Sequence, residues 1–297
     1  MSEINITNEI LIEELQKRFS KYQNTLKELK KVNDDLNKVN IKLAESEELK
    51  SHFLSNIANE IINPFTAIIG ASQMILEAEP KDFEFAQKMA KNIYNEASYL
   101  DFQLKNIFAA AEIEAGGISP MYSKMNILET ICSVKERYEN LAKDKNIKLT
   151  IDNKTNKEEY YINGDNEKIS LIVSNFLNNA IKFSYENSEI EIKIDNNEKN
   201  VCVSVKDTGE GICEEKKKII FDRFNRIKDN INSIERGSGL GLSISNYYAE
   251  LLDSEILFES KKNQGSQFIL KLNQEIDDIH SLSIDDNQIF FEDMETF

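Results

Sequence analysis

NFLNNAIKFS, residues 175–184, is the stretch on which the reading of this chain turns. Asn175, Asn179, Lys182 and Phe183 fall at i, i+4, i+7 and i+8, so a helix through the segment carries all four on one face. Amide oxygens on such a face can hold a hard cation and its waters, and an ammonium there can meet phosphate oxygens. Three further clusters follow in order. Asp207-Thr-Gly209-Glu-Gly211-Ile212 comes directly after the alternating run Val201 to Lys206. A carboxylate at a strand end can accept a hydrogen bond from an exocyclic amine, and Gly209 and Gly211 would let backbone approach a flat base. Ile220-Phe-Asp-Arg-Phe224-Asn-Arg226 leads into the polar stretch 227–236, which has the composition of a mobile lid. Last, Gly237-Ser-Gly239-Leu240-Gly241-Leu242-Ser243 opens a helix, whose free N–H groups would face an anion. Taken alone, a G-x-G-x-G run is weak evidence, since a glycine turn before a helix is usually only a turn.

Around these clusters the chain alternates between helix and strand patterns. Residues 126–143, 166–183 and 243–252 read as helices, and 148–152, 160–163, 189–194, 201–206, 254–259 and 266–272 as strands. Residues 189–194 and 201–206 alternate as strands of an antiparallel sheet half-covered by helices. The order predicts a two-layer α/β sandwich over 122–273.

Upstream the pattern is helical throughout. Leu15, Tyr22, Leu29, Leu36 and Leu43 are spaced by seven, a coiled-coil seam within residues 1–48. The companion positions begin with Phe19 and Leu26 and become Asn33 and Asn40, while Val32 and Val39 take up the flank. That drift implies a stutter or a modestly stable pair rather than a rigid zipper. The apolar face continues through Phe53, Ile57, Ile61 and Phe65 to Ile75, and Pro80 breaks the helix within residues 77–82. A second helix follows over 83–115, closed by Gly116 and Gly117. Two such helices form a hairpin over 49–118 with an apolar face too long to hide alone, so two copies are expected to make a four-helix bundle.

The four clusters, in this order, resemble the N, G1, F and G2 boxes of the GHKL ATP-binding fold of sensor histidine kinases. Gln264-Gly-Ser-Gln-Phe268 resembles that family's glycine turn, and Glu112-Ile-Glu-Ala-Gly116 resembles the end of its second bundle helix. The implied fold class is α+β: a coiled coil leading into a dimeric helical hairpin, then a two-layer GHKL sandwich. The resemblance implies ATP and Mg²⁺ as cofactors. It places Mg²⁺ at Asn179 with support from Asn175, phosphate contacts at Lys182, Phe183 beside the nucleotide, and adenine recognition at Asp207. Gly209, Gly211, Gly237, Gly239, Leu240, Gly241 and Leu242 would shape the pocket, and Arg226 would approach the γ-phosphate.

Phe53-Leu-Ser-Asn-Ile-Ala-Asn59-Glu-Ile-Ile-Asn63-Pro-Phe65 resembles the family's phosphoacceptor box except at the reacting position, where Asn59 replaces histidine. A neutral imidazole has a basic lone pair, whereas a carboxamide nitrogen has its lone pair delocalised and is a very poor nucleophile. Glu60 in the family assists proton removal from the histidine, and without an imidazole it reads as a solvated helix carboxylate. Pro64 leaves the Glu60 carbonyl without its i+4 donor, so a bend is expected there. Asn63 lies four residues beyond Asn59 on the same face, where phosphatase-competent members orient water against a partner's aspartyl phosphate. His52 is two turns upstream, about 10 Å away, too far for phosphoryl transfer.

Three readings follow. The chain is a pseudokinase that binds MgATP and regulates a partner kinase or response regulator. Alternatively it phosphorylates a partner chain in trans, or dephosphorylates a regulator through Asn63. In the third, an ordinary kinase carries an introduced His-to-Asn replacement. Partners implied are a second copy through the coiled coil and hairpin, another histidine kinase, and a response-regulator receiver domain. A net charge of -16 opposes direct binding to nucleic acid or an anionic membrane. Without an apolar run of about 18 residues the sequence predicts no membrane insertion and a cytoplasmic place. Cys132, Cys202 and Cys213, with no C-x-x-C pair, read as small, partly buried residues. Residues 274–297, with eight acidic residues and no Lys or Arg, form a solvated tail whose Ile289-Phe290-Phe291 cluster is a candidate docking segment.

Overall fold

A computed structural model describes residues 2–79, 82–197, 199–217, 219–221 and 239–273. Phe224, Arg226, Gly237 and the acidic tail lie outside the described residues, as do the side chains of His52, Phe53, Ile57 and Asn59.

The N-terminal region is helical. Helix α1 (Ser2–Glu77) runs without interruption through Pro64, and α2 (Phe83–Ala115) follows it in the chain. The seam side chains Leu15, Tyr22, Leu29, Leu36 and Leu43 are all exposed, between 54% and 70%. Helix α2 ends where Gly116 and Gly117 take φ of +73° and +80° and the Gly116 N–H reaches Glu112 O, the left-handed termination that glycine permits without steric cost. From Ala97 onward α2 clusters with the α/β region. There Leu100, Gln103, Asn106, Ala109 and Ile113 are buried, and Phe102 meets Tyr138 edge-on at 6.1 Å.

The α/β region contains β1 (Ser123–Asn126), α3 (Ile127–Asp144), β2 (Lys148–Asn153), β3 (Tyr161–Gly164), α4 (Asn166–Phe183), β4 (Glu189–Asn196) and β5 (Asn200–Lys206). A single turn α5 (Glu214–Lys217), then α6 (Gly241–Leu251), β6 (Glu255–Ser260) and β7 (Ser266–Asn273), complete it. Five strands form one sheet in the order β2-β4-β5-β7-β6, and β1 pairs with β3 separately. Helices α3, α4 and α6 cover one sheet face. The core between the layers holds Ile190, Ile192 and Ile194, Val201, Val203 and Val205, and Phe268, Leu270 and Leu272, at alternate strand positions. Opposite them lie Ile169, Ile172, Val173, Phe176, Leu177 and Ile181 of α4. Each such fully buried side chain contributes about 1.5–3 kcal/mol.

The sheet is mixed rather than antiparallel. β2 runs parallel to β4, with Leu149 opposite Ile190 and Ile151 opposite Ile192, while the other pairs are antiparallel. Parallel neighbours need a crossover, and α4, between β2 and β4 in the chain, supplies it. Tyr161–Gly164 lies outside the main sheet, paired with β1.

Candidate functional site

Helix α4 is fixed at both ends. At its start the Asp165 Oδ1 accepts from the N–H groups of Glu167 and Lys168, both at 3.1 Å, as an N-cap. Oδ2 accepts from Met121 N–H at 2.9 Å and Lys168 Nζ at 2.7 Å. Burial alone would raise this carboxyl, but the bonds from Lys168 and Met121 prevail and hold it below the usual carboxylate range. At the far end Lys145 Nζ donates to Ile181 O and Lys182 O, both at 3.0 Å.

Between these ends the predicted face takes two roles. Asn175 is buried, and its Nδ2 donates to Ser245 Oγ on α6 at 3.3 Å. A Cβ on Gly241 would stand 2.7 Å from Asn175 Oδ1, so the glycine admits this close helix crossing. Asn175 therefore joins α4 to α6. Asn179 and Lys182 are half-buried, and Phe183 is 37% exposed with the Lys182 ammonium 4.7 Å above its ring.

Asp207 follows β5 and is 5% exposed. Its Oδ1 accepts from Gly209 N–H at 2.8 Å and Ser266 N–H at 3.1 Å. Oδ2 carries no hydrogen bond among the described residues. Burial pushes the carboxyl above its usual range, partly countered by those two N–H groups. One oxygen is locked and the other remains an acceptor.

The glycines in the loop after β5 also serve close packing within the protein. A Cβ on Gly209 would fall 2.1 Å from Phe183 O, and one on Gly211, where φ is +61°, 2.1 Å from Lys261 O. Gly265, with φ +84°, would meet Asp207 O at 2.0 Å. These residues let protein backbones close on one another, with Glu210 N–H reaching Phe183 O at 3.2 Å. Gly239 takes φ +72°, and Leu240 is buried at the start of α6, beside Gly241 and half-buried Leu242, and gives the helix no side-chain cap. Ile220 is buried, and Phe221 continues an aromatic series through Phe258, Phe268 and Phe176.

The C-terminal half of α4, the turn after β5 and the start of α6 thus adjoin through named bonds. Ser245 and Ser266 were missed as site supports. Ser266 lies in a quoted glycine turn, but its N–H is committed to Asp207 only by strand pairing. On α1, Asn63 is exposed, and Glu60 is buried at 7% and engaged with another group, contrary to its reading as solvated. Cys132 is exposed and only Cys202 and Cys213 are partly buried; all three are free. Among the described residues no helix is long and apolar enough to cross a membrane, and no group of three His, Cys, Asp or Glu could hold a metal.

Two family models match. Residues 49–116 match the His Kinase A (phospho-acceptor) domain, and residues 164–276 the histidine kinase-, DNA gyrase B- and HSP90-like ATPase. The hybrid signal transduction histidine kinase D of Dictyostelium discoideum is 26% identical over 82% of this chain and 16% of its own length. The sensor protein KdpD of Clostridium acetobutylicum is 28% identical over 78% of this chain and 25% of its own length. The histidine-protein kinase BarA of Escherichia coli is 26% identical over 86% and 28% respectively. The chain thus spans no more than about 28% of the length of these relatives. Among solved structures, histidine kinase ThkA in complex with response regulator TrrA superposes with TM-score 0.50 at 24% identity, over 77% of this chain and 63% of that one. Full-length ShkA in complex with AMPPNP gives 0.52 at 19% identity, over 77% and 46%. These two establish the shared fold. In its two matched domains and their order, the chain is similar to the sensor histidine kinases of two-component signalling.

Proposed function

We propose that this chain binds MgATP in the site between α4, the turn after β5 and α6, and that it regulates a partner kinase or response regulator without phosphorylating itself. The observation that carries the reading is the pairing of Asn59 with a built nucleotide site. The box around position 59 keeps its neighbours, but the carboxamide there offers no basic lone pair to a γ-phosphorus.

The residues present fit the nucleotide. Asp207 Oδ2 is an acceptor without a partner among the described residues, held in place by a locked Oδ1 and suited to an exocyclic amine. The N–H groups at the start of α6, which Leu240 does not cap, suit phosphate oxygens, and Lys182 adds positive charge. A cation here would take Asn179 and phosphate oxygens with several waters, a ligand set that suits Mg²⁺. Bound ATP supplies a γ-phosphoryl group. This chain's own residues orient the base, offset phosphate charge and place no nucleophile at position 59.

Dimerisation belongs to the same proposal: the exposed heptad seam of α1 would pair with that of a second copy, and the 49–118 hairpins would join in a bundle. The ThkA–TrrA complex supports a receiver domain as partner. A second reading, dephosphorylation of that regulator, is favoured by the exposure of Asn63. Incubation with radiolabelled ATP tests both. We expect no label on this chain, and phosphohistidine in Asn59→His. Label on the unaltered chain would sink the pseudokinase reading. Loss of label from a phosphorylated regulator, abolished in Asn63→Ala, would establish the phosphatase reading.

A further inference from the structure

The C-terminal turn of α4 leaves one polar atom unaccounted for. Ser184 is buried, at 8% exposure, and its Oγ has no hydrogen-bond partner. Its neighbours are already engaged. The Ser184 N–H donates to Ala180 O at 3.0 Å, Lys145 Nζ holds Ile181 O and Lys182 O, and Phe183 O accepts from Glu210 N–H. A serine beside a helix end ordinarily turns its hydroxyl onto nearby backbone. Here that backbone is committed, and a buried hydroxyl without a partner weakens the fold that contains it.

The location gives the orphan a ligand. Ser184 Cα lies 3.0 Å from where a Cβ on Gly209 would fall, and the Gly209 N–H is one of the two donors that lock Asp207. The Ser184 backbone therefore packs against the turn whose Gly209 N–H holds Asp207 Oδ1. A carboxylate only accepts, whereas a hydroxyl both donates and accepts, so Ser184 can serve the ring nitrogens that Asp207 cannot.

We propose that Ser184 Oγ is a further base-recognition group, hydrogen-bonding the adenine of ATP directly or through one ordered water beside Asp207. This rests on the reading of the α4 site as a nucleotide site. Calorimetric titration of MgATP into the full chain tests it, with melting of the nucleotide-free protein alongside. Ser184→Ala is expected to bind about three- to tenfold more weakly. The same substitution removes an unsatisfied hydroxyl, so the nucleotide-free protein should melt about 2–4 °C higher. Ser184→Thr, which keeps the hydroxyl, should restore the affinity. Equal affinity in Ser184→Ala and the unaltered chain would overturn the assignment and leave the nucleotide site standing. A fall in affinity together with a fall in melting temperature would assign the hydroxyl to the fold instead and overturn it too. Absence of ATP uptake by the unaltered chain would remove the parent reading, and this assignment with it.

Discussion

Asp207 joins burial, charge and recognition in one side chain. Because burial raises its carboxyl, the folded chain holds more protons than the unfolded chain at pH values just above 3.8. Stability from this group therefore falls as pH rises through that window, and at neutral pH the ionised side chain is a cost that a bound amine would offset. Asp207→Asn keeps an oxygen for the Gly209 and Ser266 N–H groups but can replace the free acceptor with a donor. We expect the nucleotide-free variant to melt at or above the unaltered temperature at pH 7, while ATP affinity drops about 10- to 100-fold. A destabilised variant with normal affinity would refute this. Asn59 is the opposite kind of residue, since its consequence follows from functional-group chemistry and needs no packing argument. Glu60 shows the boundary between the two: its identity is plain in the sequence, but its burial depends on what surrounds the helix.

At the scale of elements α4 is decisive, because Asn175, Asn179 and Lys182 stand where its axis puts them. Its bounds, Asn166–Phe183, are those expected from the helical pattern of the sequence. Asp165 sets that axis, through two N–H groups of α4 and one from the segment before β1. Its lowered carboxyl gives stability that is present above pH 3.8 and lost as pH falls through the folded value. Asp165→Ala is expected to cost about 1–2 kcal/mol at pH 7. Urea unfolding at neutral and at strongly acid pH checks this, since the gap between variant and unaltered chain should narrow in acid; a gap independent of pH would contradict it. The elements missing from the sequence reading are short. β1, with sequence Ser-Lys-Met-Asn, buries only Met125 fully and lacks an alternation, and α5 is a single turn. Neither contains enough period to be seen.

For the whole molecule the open question is assembly. A single chain leaves the α1 seam exposed at Leu15, Tyr22, Leu29, Leu36 and Leu43, at a spacing of seven that pairs two helices but covers nothing within one. Replacing Leu29 and Leu36 together by Asp should shift sedimentation from dimer to monomer. ATP affinity should stay unchanged, because every residue assigned to the nucleotide lies in the α/β region. A dimer that survives both charges would locate the interface elsewhere.

The sequence by itself determined the spans of the longer helices and strands, the order of the nucleotide clusters and the missing nucleophile at position 59. These depend on period, capping and functional groups, which are local. Only the tertiary structure decided the parallel pairing of β2 with β4, the use of Asn175 to join α4 to α6, and the close approach of the glycine turns to other backbones. It also decided that one oxygen of Asp207 is locked and the other left as an acceptor. These depend on contacts between residues as much as 70 positions apart, as from Asn175 to Ser245, and no local pattern specifies which distant group arrives at a given atom.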